Sequence, residues 1–455
     1  MRFYDRDAEL KALDRACSAK GSEMIVISGR RRIGKSRLVD EFLKGREHAK
    51  VMVVPKEETQ VAYDFALALA DGYTPTFKSV REALDYFFTA SKKRILYVDE
   101  FPNLLEVNRA LPYEFQRAWE LYKDKTSKVL IFSGSYVSMM DKIFTRQKAP
   151  LFNRAGYFIL LPPLPLEVVW DMQDDIGVKD PAEKIRNYCI FGGVPHYYEL
   201  LEKRGTKNVV NDLFFDVAAT LKEEGQNILK QEFGIAYKKH FSIIEAIGAG
   251  LVSQSEIANR IGVSQTTLSK YLMALQRDFK LVERTVPFDQ NPKRSKKGVY
   301  SIKDNLIAFW FTNVYGKIRQ PSEKELNEFV SRRFEPLCRE FLAEYLAGSR
   351  KEAVIKTGRW WGQIGITPGA FERREIEILV ETRQNIYVGE CKWTNDKTGQ
   401  KELERLKESA KALKAKKPIK WVLFSKNGFR SLKETDELLL FDPERMETEI
   451  KRFAK

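Results

Sequence analysis

Short apolar runs alternate with helical patterns along the first third of the chain. The runs have the length of buried strands, and the segments between them repeat apolar residues at helical spacing. Buried strands separated by helices are typical of a parallel sheet with helices on its faces. The pattern therefore predicts an α/β domain whose five strands lie at 24–28, 51–54, 95–98, 128–135 and 158–161.

A different pattern occupies residues 241–275, where three helical segments follow one another. The second segment begins with Ser253 and Glu256, spaced as a capping box, and Gly262 supplies the short turn before the third. Two strand-like pieces within 281–302 then flank a basic loop. This order predicts a winged helix, that is, a helix-turn-helix followed by a β-hairpin wing.

From about residue 321 the pattern changes to helix, three strands, a long charged helix and a strand. This αβββαβ order predicts an independent mixed α/β domain. Only a few polar residues around Arg383 and Gln384 separate the second and third strands, so we expect a hairpin there.

The predicted hairpin brings like charges together. Symmetric pairing about its turn puts Glu377 directly opposite Glu390, and Glu375 opposite Lys392. Opposed like charges destabilise a sheet, and a cation between the two carboxylates would remove the penalty. Mg²⁺ bound by Glu377 and Glu390 is one interpretation, with Lys392 stabilising charge on a scissile phosphate. The other is a screened surface pair between Glu375 and Lys392.

The segment GRRRIGKS connects the first predicted strand to a helix, the context that a phosphate-binding P-loop requires. Glycines let the backbone fold around a phosphate, and the amides at the helix N-terminus supply donors. Lys35 is expected to reach the β- and γ-phosphates of ATP, and Ser36 to bind Mg²⁺. The predicted nucleotide-binding residues are Gly29, Arg30, Arg31, Arg32, Ile33, Gly34, Lys35, Ser36, Arg37, Asp99 and Ser135.

Acidic and hydroxyl residues follow two other predicted strands. Asp99 can hold Mg²⁺ through water, and Glu100 can orient or deprotonate an attacking water. Ser133 and Ser135 end the fourth strand, where they are placed to sense the γ-phosphate, although serines are common at strand ends.

The charge balance favours a polyanionic partner. Lys and Arg total 78 against 63 Asp and Glu, a net charge of +15. The predicted contacts to double-stranded DNA are Gln265, Thr266, Thr267 and Lys270 on the third helix and Lys293, Arg294, Lys296 and Lys297 in the wing. The alternative is a protein adaptor with a solvated loop. Aromatic residues do not interleave with these basic ones, so the local sequence does not indicate stacking on single strands.

Other features of the composition bear on location. The four cysteines form no CxxC motif, which argues against a zinc site or a disulfide framework. No stretch of about 18 apolar residues occurs, and the N-terminus lacks an apolar targeting segment. We therefore expect a cytoplasmic protein without a membrane partner.

Several motifs in a fixed order resemble a known group of proteins. FYDRDAEL, GRRRIGKS, YVDEF, FSGS, PLFNRAG and FGGVPHYY are similar to the archaeal-type P-loop ATPases of the AAA+/STAND group. GRWWG, REIEIL and VGECKW resemble the nuclease-like PD-(D/E)xK domain that follows the winged helix in that group. One departure is that the pattern has aspartate where this chain has Glu377.

The resemblance implies further roles. Arg154 would meet the γ-phosphate in cis or from a neighbouring subunit of a homo-oligomer, and FGGVP would begin a helical lid. Glu335 or Glu340, with Glu335 preferred, would be a third acidic group beside Glu377. The implied domains are an ATPase core at 1–164, a lid at 165–236, a winged helix at 237–320 and a nuclease-like domain at 321–455.

These expectations combine into two hypotheses. The first is a Mg²⁺-dependent ATPase that couples its nucleotide state to DNA binding, with DNA cleavage by the C-terminal domain left open. The second is a STAND-like regulatory switch whose later domains contact proteins and whose nuclease-like tail is inactive. The basic charge favours the first hypothesis, and Glu377 in place of aspartate favours the second.

Overall fold

A computed structural model describes residues 1–234, 237–367, 370–413 and 415–453. The chain forms two compact units, Met1–Leu164 with Val194–His196, and Pro165–Gly193 with Tyr197–Lys455. The domain ends predicted at residues 236 and 455 lie outside the described residues. None of the described helices combines the length and hydrophobicity that a membrane crossing needs.

The first unit is built on a five-stranded parallel sheet, as the sequence predicted. The apolar runs form strands because both faces of each central strand are covered and its side chains are buried. The sheet order is β2-β3-β4-β1-β5. Its strands are β1 Glu23–Ser28, β2 His48–Met52, β3 Ile95–Asp99, β4 Val129–Gly134 and β5 Tyr157–Leu160.

Helices cover the sheet of the first unit. Their apolar sides pack with the strands into one core, in which Phe101 contacts both Phe115 and Phe132 through their rings. The helices are α1 Asp7–Cys17, α2 Lys35–Leu43, α3 Glu58–Leu69, α4 Val80–Thr89, α5 Leu104–Val107, α6 Leu111–Tyr122 and α7 Val137–Phe144.

The second unit begins with two helices that contain a buried ion pair. The side chain of Lys184 is only 1% exposed, and its Nζ donates to Asp174 at 2.6 Å and to Glu447 at 2.7 Å. Trp170 also donates to Glu447, at 3.2 Å. The helices are α8 Leu166–Asp175, α9 Pro181–Phe191, α10 Pro195–Arg204 and α11 Glu224–Phe233.

Three further helices and a hairpin follow in the predicted order. Ser253 and Glu256 form the predicted capping box, and Gly262 ends the second helix in the left-handed conformation, with φ 68°. These elements are α12 Tyr237–Gly248, α13 Gln254–Ile261, α14 Gln265–Arg277, β6 Val282–Thr285 and β7 Val299–Ile302, the last two pairing antiparallel. We call the stretch between β6 and β7 the hairpin loop.

The C-terminal part is a mixed five-stranded sheet, in the order β12-β11-β10-β9-β8. β9 pairs antiparallel with β8 and β10, whereas β10, β11 and β12 run parallel. The strands are β8 Val354–Thr367, β9 Ala370–Thr382, β10 Ile386–Lys392, β11 Ile419–Ser425 and β12 Leu438–Phe441. The helices are α15 Asn305–Phe309, α16 Glu323–Gly348, α17 Gln400–Ala410 and α18 Pro443–Phe453.

The structure extends the predicted αβββαβ order and corrects its details. It adds β12 and α18 to that order, and it begins α16 at Glu323, whereas the helical pattern FEPLCREFLAEYL begins at Phe334. The charged helix α17 ends at Ala410, whereas the predicted helical segment GQKELERLKESAKALKAKK ends at Lys417. Its hydrogen bonds tighten from i−4 to i−3 spacing at Lys411, Ala412 and Leu413, and the last two of these residues pack on the apolar core of the sheet.

Candidate functional site

The P-loop joins β1 to α2 at the carboxyl edge of the parallel sheet, where ligands bind in open α/β sheets. Two of its residues have left-handed backbone, Arg32 with φ 68° and Gly34 with φ 95°. Gly29 packs closely, because a Cβ there would lie 3.1 Å from the Leu161 carbonyl oxygen. This turn places the N-terminus of α2 at the loop. The main-chain N–H groups of the first turn of α2 are therefore available to bind an anion there.

Lys35 is buried at the start of α2 and folds back over the loop. Its Nζ donates to the carbonyl oxygens of Gly29 at 2.9 Å and Arg30 at 3.0 Å, and to the Ser135 hydroxyl at 2.9 Å. One ammonium group thus links the P-loop to the residue that follows β4, which is the neighbour of β1 in the sheet.

Ser36 and Asp99 lie side by side. The Ser36 hydroxyl donates to Asp99 Oδ2 at 2.8 Å, and the Ser133 hydroxyl donates to Asp99 Oδ1. The hydroxyl of Tyr97 lies 2.9 Å from that of Ser133, and burial, followed by the charge of Asp99, raises the pKa of Tyr97. A carboxylate and a hydroxyl at one point are oxygen ligands of the kind that Mg²⁺ prefers.

Glu100 follows Asp99 in a left-handed conformation, with φ 52°. Its carboxylate accepts two hydrogen bonds from Ser135, from the hydroxyl at 2.5 Å and from the main-chain N–H at 3.1 Å. The structure therefore brings together Lys35, Ser135 and Glu100, which the sequence placed on three separate segments.

The remaining predicted nucleotide residues have different surroundings. Ile33 is buried against Gly29, Arg31 is exposed, and Arg37 donates to the carbonyl of Met1. Arg154 donates from Nε to Glu120 at 2.8 Å and from Nη1 to the carbonyl of its neighbour Phe152 at 3.0 Å. The role of Arg154 at the γ-phosphate stays a prediction.

A second acidic site lies on β9 and β10. Gly389 pairs with Ile378, so Glu390 and Glu377 come next in the predicted register. Glu377 accepts a 2.7 Å hydrogen bond from the main-chain N–H of Cys391, and Lys392 Nζ lies 2.5 Å from Glu390 Oε1. Lys392 therefore pairs with Glu390 rather than with Glu375, the partner in the alternative interpretation.

A β-bulge shapes this site. Gly358 pairs with Leu379 and Trp360 with Ile376, so two residues of β9, Glu377 and Ile378, face one residue of β8. Arg339 on α16 donates to the Glu377 carbonyl oxygen at 2.7 Å. Bulges re-aim side chains, and this one directs Glu377 toward the end of β10.

The acidic site has unusual protonation behaviour. Burial, and then the charges of Glu390 and Glu335, raise the pKa of Glu377 to about 8. Burial opposes the charged form of Lys392, but Glu390 and Glu377 outweigh it and raise the pKa of this lysine. Burial also raises the pKa of Glu335, whose Oε2 lies 3.9 Å from Arg359 Nη1. The three predicted carboxylates therefore influence one another electrostatically.

The acidic site on β9 and β10 supplies only part of the ligand set of a metal ion. In the part of the chain that the structure describes, no three His, Cys, Asp or Glu side chains are arranged to hold a metal ion. Glu377 and Glu390 together could supply two carboxylates, which is sufficient for Mg²⁺ when water and phosphate complete its shell. Binding through Glu335 stays a prediction.

Comparison with known proteins identifies the family. Residues 3–201 match the model of an ATPase domain found predominantly in Archaea. A protein of Methanocaldococcus jannaschii that has no assigned function is 31% identical over 371 residues, covering 79% of this chain and 82% of the relative. The chain belongs to the archaeal-type ATPase family. Residues 308–406 also match a model described as "Archaea bacterial proteins of unknown function".

Two solved structures are also similar to this chain. A Walker-type ATPase of Pyrococcus abyssi is 17% identical with a TM-score of 0.50, covering 68% of this chain and 96% of that one. The ORC2 protein of Aeropyrum pernix, in complexes with ADPNP and ADP, is 14% identical with a TM-score of 0.47, covering 73% and 96% of the two chains. The first likeness supports the P-loop NTPase fold.

All eight residues that the sequence predicts to contact DNA are exposed. Four lie near the N-terminus of α14, where a recognition helix would present them, and four lie in the hairpin loop. Arg284 of β6 holds that loop, donating to the carbonyl oxygens of Pro292 at 2.8 Å and Ser295 at 2.7 Å.

Sequence reasoning missed three residues that position these sites. Arg339 holds the bulge at Glu377, Arg284 holds the hairpin loop, and Tyr97 supports Asp99 through Ser133. A signal existed for Arg339, because it follows Glu335 by four residues and so shares its helix face. Nothing in the local sequence distinguishes Arg284 from the other basic residues near the loop.

Proposed function

We propose that the protein is a Mg²⁺-dependent enzyme that hydrolyses ATP and couples its nucleotide state to DNA. The observation that carries the catalytic part is the Lys35–Ser135–Glu100 chain beside the Ser36–Asp99 pair. This arrangement supplies a cation for phosphates, oxygen ligands for a metal and a carboxylate for water within one set of hydrogen bonds.

Each residue has a distinct task in this proposal. Lys35 exchanges its bonds to the loop carbonyls for bonds to the β- and γ-phosphates, where it offsets their negative charge. Ser36 and Asp99 would hold Mg²⁺, which neutralises charge on the phosphates when bound. Glu100, held by Ser135, orients a water for attack and accepts its proton.

Steady-state phosphate release tests the ATPase directly. We expect Lys35→Ala to lower the rate at least 100-fold, because it removes the cation from the developing negative charge. The matched control is Lys44→Ala, which removes an exposed lysine that forms an ion pair with Glu41. Equal rates for wild type and Lys35→Ala would refute hydrolysis at this site.

For the partner, we propose double-stranded DNA. The support is the set of exposed polar and basic residues on α14 and in the hairpin loop, together with the net charge of +15. Reversal of charge at Lys270 and Lys296 should weaken duplex binding at least tenfold in fluorescence anisotropy. ATP turnover that does not respond to any nucleic acid would contradict the proposed coupling.

The acidic site supports a second candidate activity, metal-dependent cleavage of a phosphodiester. Its support is the approach of Glu377 and Glu390 beside Lys392, with Lys392 held as a cation. Supercoiled, linear and branched DNA with Mg²⁺ or Mn²⁺ is the test. Cleavage that Lys392→Ala abolishes would assign the chemistry here, and its loss in Lys35→Ala would show that the ATPase controls it.

The alternative is a regulatory switch with an inactive tail. Two observations favour it for the C-terminal sheet: the absence of a three-ligand metal group among the described residues, and Glu377 where the related pattern has aspartate. ATP turnover without cleavage of any DNA form in either metal would support this alternative for the C-terminal sheet. DNA that still accelerated ATP turnover would then leave the first proposal in place.

A further inference from the structure

A cleft lies between the hairpin loop and the antiparallel pair of strands β8 and β9, all within the second unit. The cleft is open to solvent and has a volume of about 540 Å³. Its walls carry two aromatic rings, two cations and an amide, from Trp361, Phe371, Lys297, Arg373 and Gln363. Lys297 belongs to the hairpin loop that the proposed function assigns to duplex DNA, whereas the other cleft residues lie on β8 and β9 and are not among the residues assigned to the duplex.

The hairpin loop is fixed against β8. The main-chain N–H of Phe288 donates to the Arg359 carbonyl oxygen at 2.9 Å. Lys356 donates to the Phe288 carbonyl oxygen at 2.5 Å, and its Nζ lies 4.3 Å from the centre of the Phe288 ring. Because Arg284 holds the other side of the loop, Lys297 is presented to the cleft from a restrained segment.

The strand register gathers the other groups on one face. Gln363 pairs with Arg373, and Gly365 pairs with Phe371, in the antiparallel ladder of β8 and β9. Directly paired residues share a face, and so do residues two apart on one strand, which adds Trp361. Phe371 is 68% exposed and the Arg373 side chain 75% exposed, so neither group is used by the core. The ladder also places Glu375 opposite Trp361, with its Oε1 3.9 Å from Arg373 Nη2, and a bound phosphate would replace this exposed carboxylate as the partner of Arg373.

Phe371 is an exposed ring, whereas Trp361 is half-buried and the Arg359 guanidinium lies 5.0 Å from the centre of its ring. Aromatic rings next to cations have a specific chemical use. Nucleic-acid bases stack on aromatic side chains, while Lys and Arg contact the adjacent phosphates. In a duplex the base faces are covered by neighbouring bases, so only an unpaired strand can use both kinds of group. An acidic peptide would use the cations but would gain nothing comparable from Trp361 and Phe371.

We propose that this cleft binds an unpaired nucleic-acid strand, with bases stacked on Trp361 and Phe371 and phosphates held by Lys297 and Arg373. The proposal rests on the nucleic-acid partner in the proposed function and adds a second form of that partner. Arg373 and Glu377 are four positions apart on β9, roughly 13 Å along the strand. A bound strand would therefore lead toward the acidic site.

Quenching of a fluorescent base tests the stacking. The full-length protein is titrated into a single-stranded oligonucleotide carrying 2-aminopurine, and into the matching duplex with a terminal fluorophore. Both titrations use the Lys270→Ala variant, in which a contact from α14 to the duplex is removed. We expect this variant to bind the single strand at least tenfold more tightly than the duplex and to quench the 2-aminopurine. Trp361→Ala and Phe371→Ala should each weaken single-strand binding about tenfold and reduce quenching.

Matched variants separate the cleft from general effects. Arg373→Ala should weaken binding and lower the slope of log affinity against log salt by about one, whereas Arg383→Ala, in the turn after β9, should change neither. Ile355→Ala is the control for loss of an exposed apolar side chain. Trp361→Tyr should retain most of the quenching, which distinguishes lost stacking from a damaged sheet.

The outcomes distinguish this inference from the proposed function. If Trp361→Ala and Phe371→Ala bind the single strand within twofold of wild type, the proposed strand binding in the cleft is wrong, even if duplex DNA still stimulates ATP turnover. Competition by polyglutamate that depends on Arg373 but not on Trp361 would overturn it in favour of an acidic peptide. Failure of the proposed coupling is a separate result, namely ATP turnover that responds to no nucleic acid.

Discussion

The ammonium group of Lys35 donates a 2.9 Å hydrogen bond to the hydroxyl of Ser135. Ser135 in turn donates from its hydroxyl and its main-chain N–H to the carboxylate of Glu100. A group proposed to bind phosphate and a group proposed to act on water are thus connected through one side chain. Their positions cannot change independently.

Loss of the Ser135 hydroxyl should slow catalysis more than it weakens nucleotide binding. In Ser135→Ala, the main-chain bond to Glu100 remains but the hydroxyl bond is lost, so Glu100 is held less well. We expect kcat for ATP hydrolysis to fall about 10- to 100-fold with KM within about threefold. Ser127→Ala, at an exposed position, is the control. A rise in KM alone would assign Ser135 to ground-state binding.

Glu377 should make the metal-free protein less stable as pH rises. Its folded-state pKa of about 8 lies above the usual value of 4.5, so its contribution to stability is complete below pH 4.5 and is lost as pH rises through 8. Glu377→Gln should therefore match wild type near pH 5 and exceed it at pH 9 by about 1–3 kcal/mol. Thermal unfolding in EDTA at both values measures this difference. Equal stability at pH 9 would contradict the raised pKa.

The same carboxylate should link metal binding to pH. A ligand must lose its proton before it binds a cation, so Mn²⁺ affinity should rise between pH 6 and 8 and then level off. Binding at pH 7 should release close to one proton, measurable by calorimetry in buffers of different ionisation enthalpy. In Glu377→Gln, the proton release should disappear.

Gly298→Ala should disorganise the hairpin loop with little effect on the rest of the fold. A Cβ at this position would lie 2.3 Å from Arg284 Nε, and the guanidinium group can move only by giving up its bonds to Pro292 and Ser295. We expect several-fold weaker DNA binding, a stability change within about 1 kcal/mol and unchanged ATP turnover without DNA. Gly21→Ala, where a Cβ meets nothing within 4 Å, is the control.

A double variant checks that explanation. Arg284→Ala removes the same support, so its effect on DNA affinity and that of Gly298→Ala should not add. Additive effects would show that the glycine acts through another contact.

Lys184→Met should be among the more destabilising single changes. It removes the almost completely buried cation from the carboxylates of Asp174 and Glu447 and leaves them only the half-exposed Lys451, at 3.6 Å and 2.9 Å. Removal of one partner from a buried ion pair costs about 3–5 kcal/mol. Urea unfolding of this variant and of Lys179→Met, an exposed control, measures the difference. A loss below about 1 kcal/mol would contradict this account.

The sequence predicts those parts of the molecule in which local pattern determines the outcome. The five parallel strands, the P-loop between β1 and α2, and the Ser253 cap all follow from apolar spacing or turn chemistry within a few residues. The register of β9 and β10 follows from the short turn between them.

Features formed by distant residues were not predictable in this way. The bulge at Glu377 depends on how β8 pairs, and the support from Arg339 depends on where α16 crosses the sheet. Likewise, the hairpin loop lacks aromatic residues of its own in the cleft. Trp361 and Phe371 enter it from strands more than 60 positions further along the chain, and only the fold brings them beside Lys297.

The burial of Lys184 also sets an order of events during synthesis. Its partner Glu447 lies 263 residues later, so a ribosome releases α8 and α9 long before α18 exists to complete their packing. Contacts between such distant segments form slowly, because a long loop must close first. Until then Lys184 and Trp170 remain without Glu447, and these helices present an unfinished surface that a chaperone or a protease can recognise.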